Sequence, residues 1–263
     1  IMKRHLNTGL LQAISFALLL LSAMPATARN WLFKNGKSDY RIVLDRQASP
    51  SEKKAAEELQ MYIKQISGAE LPITDDATSR GRRIFVGFGS AVADITKAQK
   101  PEADDEGFTY RTVGKDLLIY GGAQRGSMYG VFSFLEDELG VKWLTPKCTV
   151  VPSMQKYALP RLDRSEKPAL ALRYDGHFAV EREPVWSAHN KENMKWNPTQ
   201  NDYGNIEAYW NAHTMGQLLP AREFFEKHPE YFSLRDGKRI PNGQLCLSNP
   251  EVLEICKTRL ADV

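Results

Sequence analysis

The chain has 263 residues, 42% of them hydrophobic and 25% charged, a balance that suits a folded globular protein and excludes a disordered or low-complexity one. Its formal charge falls from +3 to +1 once Lys3 and Arg4 of the leader are set aside; with both signs interspersed, this argues against nucleic acid or an anionic membrane as a partner. Cys148, Cys246 and Cys256 are too few for a disulfide framework, so single thiols packed in strands or helices are expected, with a Cys246–Cys256 pair as the alternative.

Residues 1–28 read as a signal peptide: Lys3 and Arg4 are basic, residues 10–21 are an apolar core and Ala26-Thr27-Ala28 is a cleavage site. That core is shorter than the ~20 residues a bilayer-spanning helix requires, which predicts an exported protein, periplasmic or extracellular, with no membrane span after cleavage. The mature chain is expected to open with a strand over 40–44. Ser49, Pro50 and Glu52 then form a capping box ahead of a helix. Ala55, Leu59, Tyr62, Ile63 and Ile66 fall on its apolar face, Lys53, Lys54, Glu57, Glu58, Lys64 and Gln65 are assigned to water, and Gly68 ends it.

A strand over 84–88 leads into Val86-Gly87-Phe88-Gly89-Ser90, where the third position of a dinucleotide fingerprint falls on Val92, so a strand-to-helix turn is the better reading. Residues 108–113 and 117–120 predict a hairpin over Gly114-Lys115-Asp116. In the helix that follows from about Gln124, Met128, Val131, Phe132, Leu135 and Leu139 form one stripe; Gly140 is its stop and 141–144 a returning strand. Together these elements predict an α+β layer domain over 29–148, a small sheet with helices on one face. Pro152, Pro160 and Pro168 mark a linker over 149–168.

Beyond the linker the pattern predicts a strand over 169–174, long loops over 186–211, a short helix over 221–227 and a strand over 233–235 turned by Asp236-Gly237. A strand over 244–247 and a helix begun by Asn249-Pro250 complete the chain. His228-Pro229-Glu230 has the H-x-E spacing of zinc deaminases, but no P-C-x-x-C follows. No metal or cofactor is expected, and His228 reads as the end of its helix. A G-x-S-x-G nucleophile elbow does not occur.

Two strings carry a family likeness. Residues 121–146, GGAQRGSMYGVFSFLEDELGVKWLTP, resemble the signature that ends the non-catalytic N-terminal α/β domain of family 20 hexosaminidases and family 67 α-glucuronidases. HPEYFSLRDGKR at 228–239 and QLCLSNPEV at 244–252 resemble a bacterial family, domain of unknown function 4838, some of whose members are glycoside hydrolases. The resemblance implies that residues 169–263 are the first part of an incomplete (β/α)₈ barrel, a fold of ~250 residues. It further implies an exported hydrolase of complex glycans, with hexosaminidase-like chemistry assisted by the substrate's acetamido group ahead of α-glucuronidase chemistry. No catalytic residue is assigned: in the relatives the acid lies on a later barrel strand, expected beyond Val263, and the chain alone is expected to hydrolyse nothing. The alternative is a non-catalytic glycan-binding protein with a degenerate barrel.

The carbohydrate partner has candidate contacts. Arg173, Asp175 and His177 end the 169–174 strand and enter its loop, the end of a barrel that faces an active site. Trp186, Trp196, Tyr203, Tyr209, Trp210 and His213, with Asn190, Asn193, Asn201 and Asn205 between them, offer the aromatic planes and hydrogen-bonding groups that sugars require. The same mix also suits a loop packed by its own aromatics. Arg173, Trp186 and His213, then Asp175, His177 and Trp210, are the candidates for ligand contact, while Glu181, Glu183, Glu207 and Glu223 read as surface carboxylates.

Overall fold

A computed structural model of the chain describes residues 30–78, 80–175, 178–193, 202–204 and 214–261. The leader lies outside them. Contacts divide the described chain into two units, residues 30–193 with 202–204, and residues 214–261.

The first unit is built on a mixed six-stranded sheet. β1 (Trp31–Lys34) precedes β2 (Tyr40–Leu44), whose alternating side chains put Tyr40 and Ile42 on one face and Val43 on the other. The capping box then starts α1 (Pro50–Ser67): Glu52 N–H donates to Ser49 Oγ at 3.1 Å, and Ser49 N–H donates to Glu52 Oε2 at 2.9 Å. Gly68, at φ 78°, closes the helix as its left-handed cap. The short β3 (Ile73–Thr74) and β4 (Arg82–Val86) pair parallel to β2 on either side, in a register that sets Ile42 beside Ile84 and Val43 beside Phe85. After α2 (Ser90–Thr96), β5 (Phe108–Val113) and β6 (Asp116–Gly121) form the expected hairpin. Val113 faces Asp116, so its loop is the two residues Gly114 and Lys115. β6 pairs parallel to β4, and α3 (Gly126–Asp137) crosses back over the sheet.

One face of the sheet packs on α1 and α3. Ile42, Ile84, Val86, Tyr110, Leu117 and Ile119 meet Leu59, Ile63, Met128, Phe132 and Leu135 there, all of them buried. At ~25 cal/mol per Å² this layer is the largest hydrophobic term in the unit. The opposite face is not bare, as the expectation of helices on one face had it: Val43, Phe85, Leu118 and Tyr120 pack against Val92 of α2. Alternation in the strands already demanded this second cover, because apolar residues point both ways.

The stretch assigned to a linker closes the fold instead. After Gly140 (φ 74°) ends the α3 turn, β7 (Lys142–Thr145) pairs with β8 (Cys148–Val150) rather than joining the sheet. Cys148 is exposed there, not packed. β9 (Lys156–Ala158) pairs antiparallel to β1, and β10 (Asp163–Glu166) adds an edge strand to β5, giving the order β10-β5-β6-β4-β2-β3. Polar pairing holds that edge, with Arg111 against Asp163 at 3.0 Å and Thr109 Oγ1 to Ser165 Oγ at 2.8 Å.

Residues 169–174, expected as the first barrel strand, are not in a strand; Leu170 and Leu172 are exposed, and no strand among the described residues pairs with them. Pro184 starts α5 (Pro184–His189), which runs into the start of the expected long loops at 186 and is preceded by α4 (Phe178–Arg182). The parallel strands that open a barrel are not among the described residues.

The second unit packs α6 (Met215–Leu218), α7 (Ala221–Phe224) and α8 (Pro250–Ala261) around Leu218, Leu219, Phe232, Leu245, Val252 and Cys256. Asn249 Oδ1 accepts from Glu251 N–H at 2.9 Å at the start of α8. β11 (Leu234–Arg235) and β12 (Lys238–Arg239) form the Asp236-Gly237 hairpin, with both turn residues at positive φ, 49° and 75°. The strand expected over 244–247 reduces to one bridge, Leu245 to Phe232. His228 follows α7 as expected, its N–H donating to Phe224 O at 2.8 Å and its ring stacked on Tyr231 at 4.6 Å. No described helix is long and apolar enough to cross a membrane.

Candidate functional site

Two buried carboxylates, Glu106 and Glu58, gather hydrogen bonds from Arg173, Asn193, His189 and Tyr203. The first is Glu106. Its loop lies on the turn between β6 and α3 because Gly122 has no side chain: a Cβ there would strike the carbonyl oxygens of Asp105 and Glu102. Gln124 N–H donates to Ala103 O at 2.8 Å and fixes the same approach. Glu106 is thereby set beside Arg125, whose Nε donates to it at 2.6 Å, and beside Arg173, whose guanidinium donates at 2.5 Å. Asn193 Nδ2 adds bonds of 3.0 and 3.1 Å to its two oxygens.

Arg173 has further uses in the same place. Nε donates to Lys191 O at 2.6 Å, a terminal nitrogen to Leu170 O at 2.8 Å, and the guanidinium stands 5.7 Å from the centre of the Tyr129 ring. With the side chain only 17% exposed, its donors point into the protein. Burial, more than the nearby Glu106, pushes the Tyr129 hydroxyl up to about 12.

The second carboxylate is Glu58 of α1. It was assigned to water, yet it is 5% exposed, because it follows Ala55 by three residues and precedes Tyr62 by four, which puts it on the buried side. His189 Nε2 lies 2.6 Å from Glu58 Oε2, and the Tyr203 hydroxyl donates to Glu58 Oε1 at 2.5 Å. The imidazole stacks on Trp143, with centroids 4.4 Å apart, and meets the edge of Phe132. Trp143 Nε1 donates to the Tyr62 hydroxyl at 2.8 Å, while Trp186 Nε1 donates to Trp143 O at 3.0 Å. Burial first, then the bond to Glu58, drives the Tyr203 hydroxyl far above the ordinary phenol range.

The candidates thus separate. Arg173 and Trp186 both belong to the first unit, where their polar atoms bond to protein groups. Asp175 is exposed and near enough to Glu192 to help raise that carboxyl, after burial itself; among the described residues, one oxygen of Glu192 is buried without a hydrogen-bond partner. His177, Trp210 and His213 lie outside the described residues, as do Trp196, Tyr209, Asn201, Asn205 and Glu207. Glu183 is exposed, and Glu223 pairs with Arg259 at 2.9 Å. Among the described residues, no group of three or more His, Cys, Asp or Glu side chains is placed to hold a metal.

A separate open cleft of about 540 Å³ lies at the carboxyl ends of β2 and β4, where the chain leaves for α1 on one face and α2 on the other. Its polar groups are occupied locally: Asp75 pairs with Arg46 at 2.8 Å, and Asp45 accepts from Gln47 N–H at 2.9 Å.

Comparison with known proteins divides the chain in two. Residues 34–134 match the glycosyl hydrolase family 67 N-terminus, and residues 143–263 match domain of unknown function 4838. Two curated proteins described as probable alpha-glucuronidase A, from Neosartorya fischeri and Aspergillus fumigatus, are 34% and 32% identical over 83 residues, 31% of this chain and 10% of each relative. The matched part therefore spans only about a tenth of those relatives' length. A family GH115 4-O-methyl-alpha-glucuronidase, described as specific for decorated arabinogalactans, is similar in structure with a TM-score of 0.58, covering 88% of this chain and 40% of its own at 12% identity. At that identity the likeness is one of fold. The beta-hexosaminidase of Streptomyces plicatus gives a TM-score of 0.35 at 17% identity, over 57% of this chain and 25% of that one. The family 67 match and the curated relatives relate the chain to glycoside hydrolases.

Proposed function

We propose that the chain belongs to an exported glycoside hydrolase that acts on glycans carrying α-linked glucuronic acid. The observation that carries this reading is the match of residues 34–134 to the family 67 N-terminus, together with the curated relatives described as alpha-glucuronidases. It reverses the order drawn from the motifs, which put hexosaminidase chemistry first. Hydrolysis of such a bond requires a carboxylic acid to protonate the leaving oxygen and a second carboxylate as base or nucleophile. In this proposal Asp175, His177, Trp210 and His213 contact the sugar, while Arg173 and Trp186 serve by their hydrogen bonds to Glu106 and Trp143 O within the first unit. The 30–166 layer serves as the accessory domain, residues 169–263 open a barrel, and the leader at 1–28 directs export.

The test compares release of 4-nitrophenol from 4-nitrophenyl α-D-glucuronide and from 4-nitrophenyl N-acetyl-β-D-glucosaminide by the protein encoded in its uninterrupted reading frame. Faster release from the glucuronide is the expected result. Faster release from the glucosaminide would return the reading to a hexosaminidase, and a folded protein that neither cleaves nor binds either sugar would remove it.

A further inference from the structure

We infer that the accessory layer holds a second carbohydrate site, a cleft at the carboxyl end of β4 that takes a neutral pyranose ring of a glycan. The inference goes beyond the reading above and shares with it only the premise that the chain handles glycans. Its place follows from topology. β4 lies between β2 and β6 in the sheet; the chain leaves β2 and β6 for α1 and α3 on one face, but leaves β4 for α2 on the other. Where neighbouring parallel strands send their helices to opposite faces, a crevice opens outside their carboxyl ends. One such cleft, of about 390 Å³, is bounded by the start of α1, the 87–90 turn, α2 and the loop at 100–101. It adjoins the larger cleft described above and shares Asp45, Gln47 and Ser90 with it.

The walls of this cleft are apolar and its rim is not. Ala48, Ala93 and Pro101 line it together with Phe88, which is half-buried and meets Tyr120 edge-on with ring centroids 5.5 Å apart. Small apolar walls beside one oriented aromatic ring suit the C–H faces of a pyranose. At the rim, Asp45 Oδ1 accepts from Gln47 N–H at 2.9 Å. Asp45 Oδ2, the Gln47 amide, the Ser90 hydroxyl and the Lys100 ammonium have no hydrogen-bond or ion-pair partner among the described residues. Together they offer both donors and acceptors, which sugar hydroxyls require. The turn closes on Asp45 only because residue 89 is glycine: an added Cβ would stand 2.6 Å from Asp45 Oδ2. The charges select the ligand. Two carboxylates, Asp45 and the buried Glu52, line the cleft with one ammonium, Lys100, a balance that disfavours phosphate or a uronate and admits a neutral sugar.

The test follows the backbone amide resonances of the full chain while methyl β-D-galactopyranoside or methyl β-D-xylopyranoside is added, with D-glucuronate and inorganic phosphate as anionic controls. Expected is a shift of the amides of residues 87–90 with at least one neutral glycoside, at a Kd of about 1–10 mM, and binding of either anion weaker by about fivefold or more. Ala98→Trp, at an exposed position lining the cleft, should raise the glycoside Kd by about tenfold by filling the space. Gln47→Ala and Ser90→Ala remove exposed side chains that bond to no described residue, and each should raise it by about threefold. No shift over 87–90 with either glycoside, an equal shift with phosphate or D-glucuronate, an unchanged Kd in Ala98→Trp, or an unchanged Kd in both polar variants would each overturn the proposal. Shifts over 87–90 in a protein that cleaves no glucuronide would keep this site and remove the hydrolase reading, and cleavage without such shifts would do the reverse.

Discussion

Gly87→Ala probes the junction where β4, α1 and α3 meet. Gly87 has φ 90°, a conformation that costs an L-residue about 1–2 kcal/mol. An added Cβ would also stand 2.5 Å from Glu52 Oε1 and 2.7 Å from Glu52 Cδ. That carboxylate cannot swing aside freely, because Oε2 caps Ser49 N–H at 2.9 Å and Oε1 accepts from the buried Ser127 hydroxyl at 3.0 Å. Moving it forfeits both bonds, about 1 kcal/mol each, so the substitution should destabilise the first unit by about 3–4 kcal/mol, the sum of these strain and hydrogen-bond terms. Urea unfolding followed by far-ultraviolet circular dichroism and tryptophan fluorescence measures this directly. The decisive comparison is the same substitution in a Glu52→Ala background, where only backbone strain is left and the loss should fall to about 1–2 kcal/mol. An equal loss in both backgrounds, with coupling below ~0.5 kcal/mol, would refute the contact as its cause.

Alkaline titration should show late tyrosines: burial first of all pushes Tyr40 and Tyr129 up to about 12, so native 295 nm absorbance lags that of the unfolded chain. Because unfolded phenols ionise near ~10 while these stay protonated in the fold, stability should fall as pH rises from about 10 to about 12; a flat profile there would contradict their burial. Trp143→Phe should lower stability by about 1–2 kcal/mol through loss of the Tyr62 hydrogen bond and part of the His189 stack, read as a lower urea midpoint. Native thiol labelling read by mass spectrometry should modify Cys148, which is exposed, and Cys246, whose thiol is held below its usual range by Ser248 first and then Arg239, but not the buried Cys256. A Cys246–Cys256 disulfide would instead leave both unlabelled until reduction.

Local chemistry carried much of this fold in plain view. Ser49 and Glu52 announced α1, Gly68 and Gly140 its end and that of α3, and alternation in 40–44 and 108–120 announced the sheet, because each signal is complete within a few residues. β9 and β10 are different. They are three and four residues long, β10 is wholly polar, and their pairing partners lie far upstream, so nothing local marks them as strands. Glu58 could have been found, since its spacing from Ala55 and Tyr62 put a carboxylate on an apolar face; charge alone sent it to solvent. Its partners His189 and Tyr203 could not, because only the folded chain brings them there. Arg173 was singled out by its place after a run of apolar residues, but its direction depends on Glu106, which no pattern near Arg173 reveals.

The edge strand β10 also moves a border. The family 67 N-terminus match ends at residue 134 and the next match opens at 143, yet the polypeptide does not finish its sheet until Glu166 and returns through β9 to β1. A gene fusion or a shortened protein cut at the similarity border would leave Phe108–Val113 as an open hydrogen-bonding ladder and Trp31–Lys34 without its mate, an invitation to aggregate. The folded unit is therefore longer than the stretch the first match covers, and β9 and β10, which fall inside the second match, complete the architecture of the first.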